Sequence, residues 1–231
     1  MRKQTGLVMT CLALAVLLLP AVAEAVTAAQ VAQRLKEKIA RRWQVQKLEV
    51  TVVPYASQTM TDQGRFKSIS VRADAATQKG ITIRPMFVKG SDVAIDLPPL
   101  FGPDYKLQTR HVGKTWLHVQ MSEEDVNEGL NRAQNVVPDL KAELKDGQIV
   151  LTGTYRLIVG NKFRMAGKLE CKDGYRINFV PTAVKVNGIP VPVAALKPVL
   201  GKINPLLDTS EVVLSPRISS IEIADGKMVV E

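Results

Sequence analysis

From Leu140 to Phe179 apolar and polar residues alternate with a period of two, the spacing of strands that bury one face. The alternation breaks at Asp146-Gly147 and Asp173-Gly174, and a third such pair, Asp225-Gly226, lies near the C-terminus. Asp-Gly between alternating runs is a hairpin signal, because glycine accepts the positive φ of a tight turn. The register then follows from setting apolar residues against apolar residues. A two-residue turn at Asp146-Gly147 places Leu144 opposite Ile149, Ala142 opposite Leu151 and Leu140 opposite Gly153. A three-residue loop at Gly160-Asn161-Lys162 places Val159 opposite Phe163, Leu157 opposite Met165 and Tyr155 opposite Gly167. A three-residue loop at Lys172-Asp173-Gly174 places Cys171 opposite Tyr175, Leu169 opposite Ile177 and Gly167 opposite Phe179.

This predicts a four-stranded meander with one continuous apolar face, running from Leu144 and Ile149 through Phe163 and Met165 to Ile177 and Phe179. Gln148, Thr152, Arg156, Lys162, Arg164, Lys168, Glu170 and Arg176 form the opposite face. Gly153 and Gly167 fall on the apolar side. A glycine inside a strand marks a bend or a close approach. Two compatible readings follow: the sheet coils around a helix there, or the missing side chains leave room for a ligand chain.

Elsewhere the period changes. Val31, Leu35, Ile39 and Trp43 recur every four residues, so Thr27–Trp43 reads as a helix, with Thr27 and Gln30 in the spacing of a capping box. Its other faces carry Arg34, Lys36, Lys38, Arg41 and Arg42. The stripe is expected to pack into the protein's own core; lying on a membrane is the alternative. A strand is expected over Lys47–Pro54 and another over Phe66–Ala75, with Ile69, Val71 and Ala73 inward. Tyr55–Gly64 reads as a loop. Ile81–Val88 and Asp92–Leu97 are expected to pair through Lys89-Gly90-Ser91, with Phe87 opposite Val93. Tyr105–His111 and Thr115–Gln120 suggest a hairpin around Gly113, and Pro98, Pro99 and Pro103 a break before it. Ser122 and Asp125 cap a short helix with Val126, Leu130 and Ala133 along one side. Val193, Leu196, Leu200 and Ile203 suggest a third helix, kinked or interrupted at Pro198. A closing hairpin sets Ile223 against Met228 and Ile221 against Val230.

Arg2 and Lys3 precede an apolar run from Leu7 to Leu19, followed by small-residue cleavage sites at Ala21-Val22-Ala23 and Ala23-Glu24-Ala25. This is the form of a secretory signal peptide over residues 1–25, with an uncleaved anchor as the alternative. Cys11 follows Val8-Met9-Thr10, a poor and too early lipobox. After cleavage Cys171 is the one cysteine left, which excludes an internal disulfide; its alternating position suggests a buried, inert thiol. The net charge of +9 points, outside the cytoplasm, to anionic surfaces such as a membrane rather than to nucleic acid. No basic stripe interleaved with aromatics supports a nucleic-acid partner.

Motifs for catalysis are missing from the sequence. His111 and His118 are the only histidines and have no metal-ligand spacing around them, so no metal or cofactor is expected. There is no Gly-x-Ser-x-Gly elbow and no phosphate-binding glycine loop. The Glu123-Glu124-Asp125 cluster is explained by its place at a helix start.

The chain also carries Gly64-Arg65-Phe66 with Ile69 at a strand start, and Met121-Ser122-Glu123 running through Val126-Asn127 to Leu130. The Asp-Gly meander follows, then Val186-Asn187-Gly188-Ile189-Pro190-Val191-Pro192 and a terminal Ile221–Gly226 hairpin. In this order the chain resembles the LmeA-like phospholipid-binding family of bacterial envelopes over most of the length after the leader. The resemblance implies a curved sheet wrapped around helices, like tubular lipid-binding modules in outline, with an apolar cavity for phospholipid. It links members to envelope lipid or glycolipid maturation and supplies no catalytic residues.

The expected fold is therefore α+β and mostly β, a long curved antiparallel meander around two or three helices. A leader at residues 1–25 would precede one lipid-binding domain at residues 26–231. The candidate cavity residues are Leu35, Ile39, Leu151, Gly153, Tyr155, Leu157, Phe163, Met165, Gly167, Leu169, Ile177 and Phe179. The expected function is non-catalytic binding of phospholipid or a related acyl lipid in the periplasm or envelope. A scaffold without lipid and a lipid-modifying enzyme are the alternatives.

Overall fold

Thr27 opens α1 (Ala28–Arg42), its hydroxyl accepting from the Gln30 N–H while Gln30 Oε1 accepts from the Thr27 N–H. The capping box predicted from the spacing is formed. In the computed structural model residues 25–78, 81–103, 107–130, 137–155 and 161–231 are described. Nearly all of the expected leader, and the positions of Ala133, Arg156, Leu157 and Val159, lie outside them.

Strands β1 (Gln44–Gln46) and β2 (Glu49–Pro54) follow α1, then the short α2 (Gln58–Asp62) in the stretch expected to be a loop. Next come β3 (Arg65–Ala73), β4 (Ala75–Gln78), β5 (Ile81–Ile83) and β6 (Met86–Ile95). A proline-containing turn of helix, α3 (Leu97–Phe101), leads to β7 (Thr109–Ser122) and α4 (Glu123–Leu130). The meander is β8 (Lys141–Lys145), β9 (Gln148–Tyr155), β10 (Asn161–Cys171) and β11 (Arg176–Val186). After β12 (Ile189–Pro190) and a 3-10 turn at Val193–Leu196 come α5 (Lys197–Ile203) and β13 (Leu207–Asp208). The hairpin of β14 (Ile221–Ala224) and β15 (Lys227–Val230) closes the chain. The fold is α+β and mostly β, as expected, with a curled antiparallel sheet.

Two six-stranded sheets carry the structure, one ordered β14-β15-β7-β6-β3-β2, the other β12-β11-β10-β9-β8 with β13 beside β11. A three-stranded sheet, β1-β4-β5, accompanies them. Their buried side chains merge into one apolar cluster that also takes Val31, Leu35 and Ile39 of α1. Helix α1 runs along β1, β2 and α3, so its stripe packs inward.

The first meander turn has the predicted register, with Leu144 opposite Ile149 and Ala142 opposite Leu151. The second differs. Tyr155 pairs with Asn161, Gly153 with Phe163, Leu151 with Met165 and Ile149 with Gly167, a slip of six residues from the prediction. Six is even, so the described side chains of the two strands keep their predicted faces. The third differs by two: Cys171 pairs with Ile177, Leu169 with Phe179 and Gly167 with Pro181. The cause is local. Asp173 accepts the N–H groups of Tyr175 and Arg176 on Oδ1, which widens the turn beyond three residues. Cys171 and Leu169 are consequently half-buried at the sheet's end, not sealed in it.

Two predicted hairpins are single long strands. β6 runs straight through Lys89-Gly90-Ser91, so Phe87 faces Arg72 and His118, not Val93. Its buried positions are Met86, Val88 and Gly90, then Val93 and Ile95. The alternation changes phase at Asp92, whose φ is +48°, and the sequence shows that phase change as a false turn. β7 likewise passes through Gly113; its first half is largely exposed on both faces and carries no period to read. The closing hairpin has the predicted register, Ile223 opposite Met228 and Ile221 opposite Val230.

Candidate functional site

Ser122 caps α4: its hydroxyl accepts the Asp125 N–H, and Asp125 Oδ2 accepts from the Ser122 N–H and hydroxyl. Asp125 is almost fully buried, and its other oxygen lies 2.6 Å from Arg84 Nη2 as an ion contact without an aligned hydrogen bond. The next turn of α4 attaches it to the meander. Asn127 Nδ2 donates to the Ala142 carbonyl at 2.9 Å, and Asn127 Oδ1 accepts the Ala142 N–H at 2.7 Å. Glu123 Oε2 accepts the Leu144 N–H at 2.9 Å. These side chains stand in for a neighbouring strand along the open edge of β8 and satisfy its backbone groups.

The same device recurs on the opposite side of the meander. Asn204, which ends α5, accepts the Phe179 N–H on Oδ1 at 2.8 Å and donates from Nδ2 to the Phe179 carbonyl at 3.0 Å. Leu206 N–H then donates to the Ile177 carbonyl. Pro198 lies in the first turn of α5, where its missing N–H costs nothing, and the apolar run that precedes it is a separate 3-10 turn. One curled sheet thus carries a helix on each edge, each held by an asparagine amide.

Losing either amide leaves edge N–H and C=O groups of the sheet unpaired, at about 1–3 kcal/mol for a buried group. Asn127→Ala and Asn204→Ala are each expected to lower the melting temperature by roughly 2–12 °C at ~2–4 °C per kcal/mol for a chain of this size. Differential scanning calorimetry checks this, and unchanged midpoints would mean that the clamps carry no stability.

Between these two helices lies a pocket of about 240 Å³. Val126, Gly129 and Leu130 of α4 form one wall; Lys202, Ile203, Pro205 and Leu206 form another. Its remaining walls are Ile81 of β5 and the facing pair Met121 and Met228 on β7 and β15. Methionine is flexible and polarizable, and adapts to irregular apolar shapes. Among the described residues of the lining Lys202 is the one charged side chain, and it is exposed. The pocket is smaller than typical small-molecule sites of about 300–1,000 Å³, with room for a short apolar chain but not for a whole two-chain lipid.

The residues singled out in the sequence lie elsewhere. Of the twelve cavity candidates, the ten that are described in full do not border this pocket. Leu35 and Ile39 are buried in α1. Leu151, Phe163, Met165, Ile177 and Phe179 are buried on the meander's inner face, and Leu169 is half-buried beside β14 at an open groove. Tyr155 is placed only by its backbone, and Leu157 is outside the described residues. The two glycines leave no room for a ligand chain. A Cβ on Gly153 would come within 3.0 Å of Phe163 and Val137, and one on Gly167 within 2.3 Å of the Val180 carbonyl oxygen. The close approach comes from neighbouring side chains and the adjoining strand, not from a helix. Of the pocket residues, the sequence marked Val126, Leu130 and Ile203 as helix stripes, the first two also within a family motif, but not as cavity residues, and nothing in its periodicity marked Lys202.

A second polar group lies half-exposed at the surface. The Tyr55 hydroxyl donates to Asp92 Oδ1 at 3.0 Å, and His111 Nε2 lies 3.3 Å from Asp92 Oδ2. The Tyr55 hydrogen bond, then His111 and Arg65, hold the Asp92 carboxyl below its usual range. His118 stands apart, beside Glu231. Among the described residues no group of three or more His, Cys, Asp or Glu side chains is placed to hold a metal ion. Among them, too, no helix is long and apolar enough to cross a membrane.

The mostly β fold, with a curled sheet and a pocket of apolar described walls between two clamped helices, has the form of a small apolar-ligand-binding protein. The LmeA-like phospholipid-binding family model matches residues 17–231, and the chain belongs to that family. No curated protein and no solved structure matches it.

Proposed function

We propose that this chain is an exported envelope protein that holds an acyl chain of a phospholipid in the pocket between α4 and α5, and carries or presents that lipid for envelope lipid or glycolipid maturation without catalysing a reaction itself. The observation that carries this reading is a pocket whose described walls are apolar, with the cation Lys202 at its exposed side. Methylene groups enter such walls with ~0.8 kcal/mol each relative to water. Relative to a bilayer the same groups gain almost nothing, since both surroundings are apolar. Exchange with a membrane is then nearly balanced, which suits a carrier. Lys202 would meet the phosphate of a head group left outside.

Export rests on the basic-then-apolar start of the sequence and its small-residue cleavage sites. N-terminal sequencing of envelope-derived protein is expected to begin near Val26; protein beginning at Met1 and confined to the membrane fraction would defeat it.

Leu206→Trp tests the pocket. Leu206 is half-buried in its wall, so a larger ring can enter the space without displacing a sealed core residue. Phospholipid co-purifying with the variant, measured by mass spectrometry of an organic extract, is expected to fall several-fold with little change in melting. A parent without lipid would favour a scaffold that has no lipid ligand.

A further inference from the structure

Ile189 is 66% exposed and Val193 is 37% exposed, and they lie four residues apart on one projecting segment. The segment begins at the Asn187-Gly188 turn, where both residues have positive φ, and continues through Pro190 and Pro192 into the 3-10 turn before α5. Two prolines stiffen it, so it has few conformations to lose when it meets a partner. Ile189 also ends a row that runs across the sheet from Gly153 through Phe163 and Val186, so the buried face of the meander emerges into solvent at this residue.

The surroundings are basic. Arg164, Lys185 and Pro190 form the next row at the same corner of the sheet; they point to the face opposite Ile189, and all three are exposed. Lys162 lies beside the turn, its carbonyl accepting the Asn187 N–H. Lys197 and Lys202 follow on α5, both exposed. No Asp or Glu occurs anywhere between Asp173 and Asp208. An apolar sheet corner, with cations on the other face of the same strands and on the helix that follows, and no acid in its own stretch of chain, complements a surface that is apolar inside and negative outside when the sheet meets it edge-on.

We propose that the Ile189–Val193 segment docks this protein onto an anionic lipid bilayer, with Ile189 and Val193 entering the acyl region and Arg164, Lys185 and Lys197 meeting the lipid phosphates. The proposal rests on the reading of the pocket as a lipid site in one respect. The segment leads directly into α5, whose last turn carries the pocket residues Lys202 and Ile203, so docking here brings the helix that forms one pocket wall close to the membrane.

The test is co-sedimentation of the purified full chain with vesicles of phosphatidylglycerol and phosphatidylcholine in equal parts, and with phosphatidylcholine alone. The parent is expected to bind the mixed vesicles, and to be released as salt rises. Ile189→Ser with Val193→Ser is expected to weaken binding roughly tenfold or more, since exposed residues enter an apolar phase only in the docked state. Lys185→Glu is expected to weaken it at least about fivefold, the worth of one surface cation. All are surface changes, so melting serves as the control for folding. Trp116→Ser removes another exposed apolar side chain, on β7 over Lys89, and is expected to change nothing. A double variant that sediments like the parent overturns the proposal, as does a parent that ignores anionic vesicles or one that Trp116→Ser releases. Lipid extracted from the same preparations separates the two readings. A parent that carries lipid but does not sediment sinks the docking surface alone. One that sediments but carries none sinks the pocket reading and leaves the surface standing.

Discussion

Gly167→Leu is expected to prevent folding, and Gly167→Ala to destabilise the protein clearly. A Cβ at this position would lie 2.3 Å from the Val180 carbonyl oxygen, 2.7 Å from Pro181 Cα and 2.8 Å from Phe179 Cε2. Two of these are backbone atoms of the paired strand, which cannot turn away as a side-chain tip can. The pairing of β10 with β11 also shifts by one residue between Ala166 and Gly167, so the strands approach here at a bulge. Overpacking a well-filled site costs about 1–3 kcal/mol. For alanine that corresponds to a fall in melting temperature of roughly 2–12 °C, at ~2–4 °C per kcal/mol for a chain of this size. Leucine adds a branched side chain to the same clash. Gly153→Ala is the comparison: the nearest atoms its Cβ would meet belong to the side chains of Phe163 and Val137, at 3.0–3.1 Å, and it is expected to cost less. Urea or thermal melts of the three variants decide it. A Gly167→Ala protein that melts like the parent would show that β10 and β11 can separate locally, and would restore the idea of space at this glycine.

The meander was legible because its chemistry is local. Asp146-Gly147 forms a tight turn with positive φ at both residues, and the strands on either side of it pair as their side chains dictate. Faces survived where register did not. The slips of six and two residues are both even, so Phe163, Met165, Ile177 and Phe179 are buried as expected. What periodicity cannot register is a residue in the middle of a strand that flips the phase, as Asp92 does in β6. It also cannot tell which apolar residues fill a core and which surround a space. Leu151 and Leu130 are both buried leucines on periodic elements, yet only Leu130 borders the pocket. The difference lies in tertiary placement, set by Asn127 and Asn204 clamping helices to opposite edges of one sheet. An isolated asparagine in a sequence carries no sign of that role. Nor did the segment after Asn204 announce itself: Leu207, Val212 and Leu214 are buried without any period, and Leu214 reaches within 2.9 Å of where a Gly90 side chain would begin.

Leu35→Asp is expected to unfold the protein or leave it only marginally stable. Leu35 is 0% exposed and lies at the centre of the stripe Val31, Leu35, Ile39 and Trp43, all of them buried. The helix that carries it is fixed at both ends of that stripe. Arg34 lies over the Phe101 ring of α3, and Arg42 pairs with Glu211 at 2.9 Å. A carboxylate at position 35 therefore cannot reach water by a small shift of the helix. Replacing the side chain forfeits about 1.5–3 kcal/mol of apolar burial. A buried, unpaired carboxylate costs several kcal/mol more, or takes up a proton instead. Together these approach the ~5–15 kcal/mol by which a typical protein is folded at all. Ile39→Asp is expected to behave similarly, while Lys36→Ala on the exposed side of the same helix should melt within a degree or two of the parent, since surface changes usually stay within about 0.5 kcal/mol. Far-ultraviolet circular dichroism on heating distinguishes these outcomes. If Leu35→Asp melted like the parent yet lost its hold on anionic vesicles, α1 would be a membrane-facing helix, and the docking surface would belong to it rather than to the Ile189–Val193 segment.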